Sequence, residues 1–123
     1  MEVIEWRRRL RRKIIEEAAS WACKLPFKAT AILIGSYAKG DFNLWSDVDI
    51  LLISETLNGN PIERLKALDI PPGFQIIPLT LKEYRKLTLK RNPIIEATEN
   101  GVVLRDDFKI TTTNNRVQLK NNS

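Results

Sequence analysis

Asp47 and Asp49 stand two residues apart, behind a short segment that carries glycine and serine, Gly35-Ser36-Tyr37-Ala38-Lys39-Gly40, five spacer residues and Ser46. If a strand begins near Asp47, its period-two alternation puts both carboxylates on one face, with their Cα atoms about 6.5 Å apart. Carboxylates held that way can share a divalent cation, or bracket a pair of metals ~3.5–4 Å apart. The competing reading is a pair of strand-edge turn residues, since aspartate is common in turns. Asp49 argues for the cation, because it leads into the apolar run Ile50-Leu51-Leu52-Ile53. A carboxylate entering a buried strand is costly unless something positive meets it.

The glycine and serine add a second capability. Gly35 closes the apolar run Ala29 to Ile34, and a glycine there lets the backbone turn sharply and come close to a ligand. Ser36 offers a hydroxyl, as does Ser46. If a helix starts at this turn, its free N–H groups and positive dipole end favour phosphate. Lys39 can add charge to such a site or simply be solvated.

Composition removes several alternatives. The chain has no histidine, which excludes Ser-His-Asp and Cys-His nucleophilic catalysis and histidine-rich zinc sites. A metal must then be held by oxygen ligands, which points to magnesium or manganese. One cysteine excludes an internal disulfide. Cys23 falls in a helical apolar pattern, so a buried thiol in a reducing, cytoplasmic setting is expected. No stretch approaches the ~20 apolar residues of a membrane span. The net charge of +5 gathers near the N-terminus in Arg7, Arg8, Arg9, Arg11, Arg12 and Lys13. A face of that kind is more often solvated than bound to nucleic acid, so tight nucleic-acid binding is not expected.

The elements that must position these residues follow from periodicity. Val3, Trp6, Leu10, Ile14, Ala18 and Ala22 recur at three- and four-residue steps, which predicts a basic amphipathic helix over residues 1–25. Strands are predicted at Ala29–Ile34, Val48–Ile53, Phe74–Leu79 and Val102–Arg105. Helices are predicted at Ile62–Leu68, with Pro61 in the first turn, from an N-cap at Thr80 to about Lys90, with Glu83 at the capping-box spacing, and at Pro93–Glu99. The result is one α/β (α+β) domain over residues 1–108, a small mixed β-sheet flanked by helices. The polar tail 109–123 is expected to be disordered. Phe42, Leu44 and Trp45 make the loop before the aspartates unusually apolar. They either fold back onto the sheet or meet a base or a partner.

The pattern G-S-x-A-x-G-x5-S-D-x-D resembles that of the nucleotidyltransferase superfamily, and in particular its minimal members. Seven fixed positions arise by chance on the order of 10⁻⁸ to 10⁻⁹ per starting site. The resemblance extends through Ile76-Ile77-Pro78-Leu79-Thr80 and Glu99-Asn100-Gly101-Val102-Val103-Leu104. It implies the nucleotidyltransferase fold, a nucleoside triphosphate held by Gly35 and Ser36, and magnesium held by Asp47 and Asp49. The family usually takes a third carboxylate from the neighbouring strand. The matching position here is Gln75, whose neutral carbonyl is a weak magnesium ligand, and Asp41 is an alternative oxygen.

Two functions follow from the resemblance. One is transfer of a nucleoside monophosphate to an acceptor. The other is an antitoxin-type binding module that neutralises a helical partner of the HEPN type. Either leaves the acceptor site to a second subunit or a partner protein.

Overall fold

The structure, a computed structural model, describes residues 2–110. A helix α1 (Glu2–Cys23) leads to β1 (Thr30–Ile34), a one-turn helix α2 (Gly35–Lys39) and β2 (Val48–Ile53). Then come α3 (Pro61–Lys66), β3 (Phe74–Leu79), α4 (Leu81–Leu89), α5 (Pro93–Glu99) and β4 (Val102–Asp106). The four strands form one sheet in the order β3-β2-β1-β4. β1 runs antiparallel to both β2 and β4, while β2 and β3 are parallel, so the sheet is mixed, as expected.

The apolar runs explain which strands are central. Every residue of β1 is buried, as are all of β2 except Asp49. Ala18, Ala19 and Ala22 of α1 are fully buried against Ala31, Leu33, Ile50 and Leu52. The small alanines let the helix approach the sheet closely. On the other side, Gly101 permits the same closeness for the turn after α5: a Cβ there would lie 2.6 Å from the Leu33 carbonyl oxygen and 2.7 Å from Ile32 Cγ2.

Capping fixes the helix starts. Thr80 and Glu83 form the expected capping box, and Asn60 and Glu63 form a second one at α3, behind Pro61. The C-terminal end of α1 is held from across the sheet. The Arg105 guanidinium donates to the carbonyls of Ala22 (2.8 Å), Leu25 (3.0 Å) and Phe27 (2.8 Å), and to the Asp107 carboxylate. It thereby supplies donors to carbonyls left open where the helix stops.

Two expectations need correction. Cys23 is exposed, because the buried stripe runs through Ala18 and Ala22 and the next residue turns away from the sheet. The basic face of α1 is only partly solvated, since Arg7 and Arg11 reach into the domain. Element ends shift by a residue or two: β1 starts at Thr30, α3 covers Pro61–Lys66 and β4 runs on to Asp106. Of the expected tail, Ile110 donates its amide to Asp106, and residues 111–123 lie outside the described residues.

Candidate functional site

The antiparallel register of β1 and β2 pairs Ile34 with Asp49, so the turn that ends β1 stands beside Asp49. There Gly35 adopts φ 77°, in the left-handed region that favours glycine. A Cβ on Gly35 would lie 2.5 Å from Asp49 Oδ2. The carboxylate therefore rests against bare backbone, in space that any side chain would take. Ser36 begins the turn of α2 that follows. Its carbonyl accepts the amides of Gly40 (2.8 Å) and Asp41 (3.1 Å), and Ile34 at the N-cap makes no side-chain bond to the first amides.

Asp47 immediately precedes β2 and Asp49 is its second residue. Asp49 is half-buried and Asp47 exposed. Burial, and then repulsion from Asp47, push the Asp49 carboxyl above its ordinary value of 3.8. Two acids sharing one corner, with the more buried one penalised for its charge, make a donor set of hard oxygens suited to magnesium or manganese. The third corner is Gln75. In the parallel register it pairs with Asp49, and it is exposed. Among the described residues no group of three or more acidic or cysteine side chains comes together as a metal cluster, so Asp41 does not join the two aspartates in one.

The other predicted residues are placed differently. Ser46 uses its hydroxyl to accept the Asn43 amide (2.9 Å), while the Asn43 side chain accepts the Trp45 amide (2.8 Å). These bonds close a tight loop whose last residue adjoins Asp47. Lys39 is exposed at the end of α2. It lines a cleft of ≈ 270 Å³ with Gly35 and Ala38, facing Pro93 and Glu96 of α5 and Asn100 just after it. Of the apolar loop residues, Phe42 is buried and stacked on Tyr37, with ring centroids 4.4 Å apart. Leu44 and Trp45 stay outside.

Sequence reasoning missed the residues that hold this loop and α2. Arg11 donates to the carbonyls of Tyr37 (2.8 Å) and Ala38 (2.9 Å). Arg7 lies over the Phe42 ring, 5.4 Å from its centroid, and donates to the Phe42 carbonyl. The available signal was their position: Arg7 and Arg11 fall between Val3, Leu10 and Ile14 on the buried stripe, where a merely solvated arginine does not belong.

Comparisons with known proteins bear on the fold and the family. A crystal structure of a provisionally assigned nucleotidyltransferase from Sulfolobus solfataricus shares the fold, with a TM-score of 0.50 over 84% of this chain and 86% of that one, at 24% identity. A protein of Methanocaldococcus jannaschii provisionally named a protein adenylyltransferase is 41% identical over 88 aligned residues, 63% of this chain. The chain spans 59% of that relative's length. The nucleotidyltransferase domain family matches residues 11–122, a span that holds the turn, both aspartates and all four strands; the chain belongs to that family.

Proposed function

We propose that the chain binds a magnesium nucleoside triphosphate at the corner of Gly35, Ser36, Asp47 and Asp49, and transfers its nucleoside monophosphate to an acceptor hydroxyl. The observation that carries this reading is the contact of Asp49 with the bare backbone of Gly35. It brings the glycine-serine turn and a carboxylate to one point, which supports a phosphate and its metal being held together there, as nucleotidyl transfer needs. In that reaction the acceptor oxygen forms a bond to the α-phosphorus, pyrophosphate leaves and the hydroxyl proton is lost.

Asp47 and Asp49 would hold the magnesium, which neutralises phosphate charge when bound. The backbone at Gly35 lets the phosphates approach, the Ser36 hydroxyl donates to them, and the cleft beside Lys39 is the space for the nucleoside. Manganese fits the same oxygens. The relative named as a protein adenylyltransferase supports ATP as donor and a protein hydroxyl as acceptor. Incubation with magnesium and ATP labelled on the α-phosphate tests the reading. Label transferred to a protein, and lost with Asp49→Asn, is the expected result; no transfer to any acceptor would contradict it.

A second reading has its own support in Gln75. With a neutral amide where a third carboxylate would assist the acceptor, the domain binds nucleotide and acts by contact, as an antitoxin neutralising a helical HEPN-type partner would. Binding of magnesium nucleotide without transfer distinguishes it.

A further inference from the structure

We propose that Arg11, assisted by Arg7, is a positioning residue for the glycine-serine turn: it fixes α2 from behind, so that Gly35 and Ser36 are in place before a nucleotide arrives. That the turn takes a triphosphate rests on the transfer reading above; that Arg11 fixes it does not.

Left to itself, α2 is a poor helix. It has five residues, far below the length at which a helix holds its own shape. Ile34 offers no side-chain bond to its first amides. The amides of Gly40 and Asp41 both go to the Ser36 carbonyl, which leaves the carbonyls of Tyr37 and Ala38 over. Arg11 takes both, through Nε to Tyr37 (2.8 Å) and through Nη2 to Ala38 (2.9 Å). Two donors from one planar guanidinium set the orientation of the acceptors as well as their distance. With only five residues, a helix fixed at Tyr37 and Ala38 is fixed at Gly35 and Ser36 too.

Arg7 stands one turn earlier on the same face of α1. It donates to the Phe42 carbonyl and lies over the Phe42 ring, which is itself stacked on Tyr37. The two arginines therefore hold both ends of residues 37–42, the stretch that joins the turn to the loop before Asp47. Packing alone does not fasten this part of α1. Of its described side chains only Ala18, Ala19 and Ala22 are fully buried, all in the second half, while Leu10 and Ile14 are half-buried. Arg8, Arg9 and Arg12 are exposed, so the helix divides its arginines between solvent and the turn.

Ordering the turn during folding spares that cost when a ligand binds. Neither Arg7 nor Arg11 is paired with a carboxylate among the described residues, so their charge also attracts a triphosphate. Lysine at position 11 keeps the charge and loses the fork, which separates the two effects. Arg105 supplies the control, because it too donates to backbone carbonyls, at the other end of α1 and away from the turn.

The experiment compares the native protein with R11M, R11K and R105M, by hydrogen exchange without nucleotide and by calorimetric titration of magnesium-ATP. In R11M, the peptide covering residues 35–41 should exchange about tenfold faster, with β2 unchanged, and nucleotide affinity should fall about tenfold. R11K should stay within about threefold of R11M in both readouts. R105M should melt at a lower temperature yet keep native exchange at residues 35–41 and native affinity. If R11M does not fold, R11K carries the test, since its single nitrogen replaces two.

Unchanged exchange in R11M would overturn the proposal, as would faster exchange with native affinity. Equal losses in R11M and R105M would reduce Arg11 to general stability, and a native-like R11K would show that charge rather than the fork matters. A native protein that binds no magnesium-ATP would sink the transfer reading alone, and exchange at residues 35–41 would still decide whether Arg11 fixes the turn.

Discussion

Asp49 is a residue whose charge costs the fold something and serves the site. Burial and Asp47 raise its carboxyl pKa above 3.8, so the folded state holds that proton more tightly than the unfolded chain does. The sign follows directly: below the unfolded value both states are protonated and nothing is lost, and stability falls as pH rises through the folded pKa. Asp49→Asn should therefore raise the Tm of the metal-free protein at neutral pH. The gain should be about 1–4 °C, small because the carboxylate is half-exposed and screened. It should vanish below about pH 3.5, where the native carboxyl is already neutral. Magnesium with ATP should stabilise the native protein and leave this variant unmoved, as thermal melts across pH will show. Gln75 sets the complementary test. Its pairing with Asp49 puts an added carboxylate within reach of the same corner, and it would act on the acceptor more than on the nucleotide. Gln75→Asp should raise transfer in single-turnover assays while nucleotide affinity stays within about threefold; a brisk native enzyme indifferent to Gln75→Ala would count against this.

Among the elements, α1 is tied to the sheet by polar bonds as much as by its alanines. Arg105 satisfies three carbonyls and the Asp107 carboxylate from one half-buried position. Arg105→Met keeps much of the volume but takes the guanidinium donors from the Leu25 and Phe27 carbonyls, and leaves Ala22 and Asp107 with only the amides of Leu25 and Ala29. The expected loss is about 2–4 kcal/mol in urea unfolding. Burial pushes the Asp107 carboxyl up, but the Ala29 amide and Arg105 outweigh it and hold it below 3.8. The stability from that bond is present above 3.8 and lost as pH falls through the lower folded value, so the variant and native curves should converge at low pH. These long-range bonds are also what sequence reading could not reach. Strands β2 and β3 and the Thr80 cap were legible residue by residue, because apolar runs, prolines and capping spacing are local signals. Asp49 beside Gly35 was legible through the motif's resemblance. Arg105 beneath α1, and Arg7 and Arg11 against the α2 loop, join residues 26 to 83 positions apart, and no local pattern encodes that. Cys23 was misjudged for a related reason: the stripe's edge is set by how α1 lies on the sheet.

At the scale of the whole molecule, one mixed sheet carries the turn, the two aspartates and Gln75 on adjacent strand ends, and no described helix is long and apolar enough to cross a membrane. The chain belongs to the nucleotidyltransferase domain family, and its net charge of +5 attracts anions in general, which is distinct from binding at the proposed site of oxygen ligands. The two differ in their dependence on the metal. General attraction to a basic protein weakens as magnesium screens the triphosphate, whereas a site of oxygen ligands needs the cation. The central claim, that Gly35, Ser36, Asp47 and Asp49 hold a magnesium nucleoside triphosphate, is tested most directly by calorimetric titration of ATP with and without magnesium. The account predicts a saturable heat that appears only with the metal and disappears in both Asp47→Asn and Asp49→Asn. Heat that is the same without magnesium, or that survives both substitutions, would contradict it.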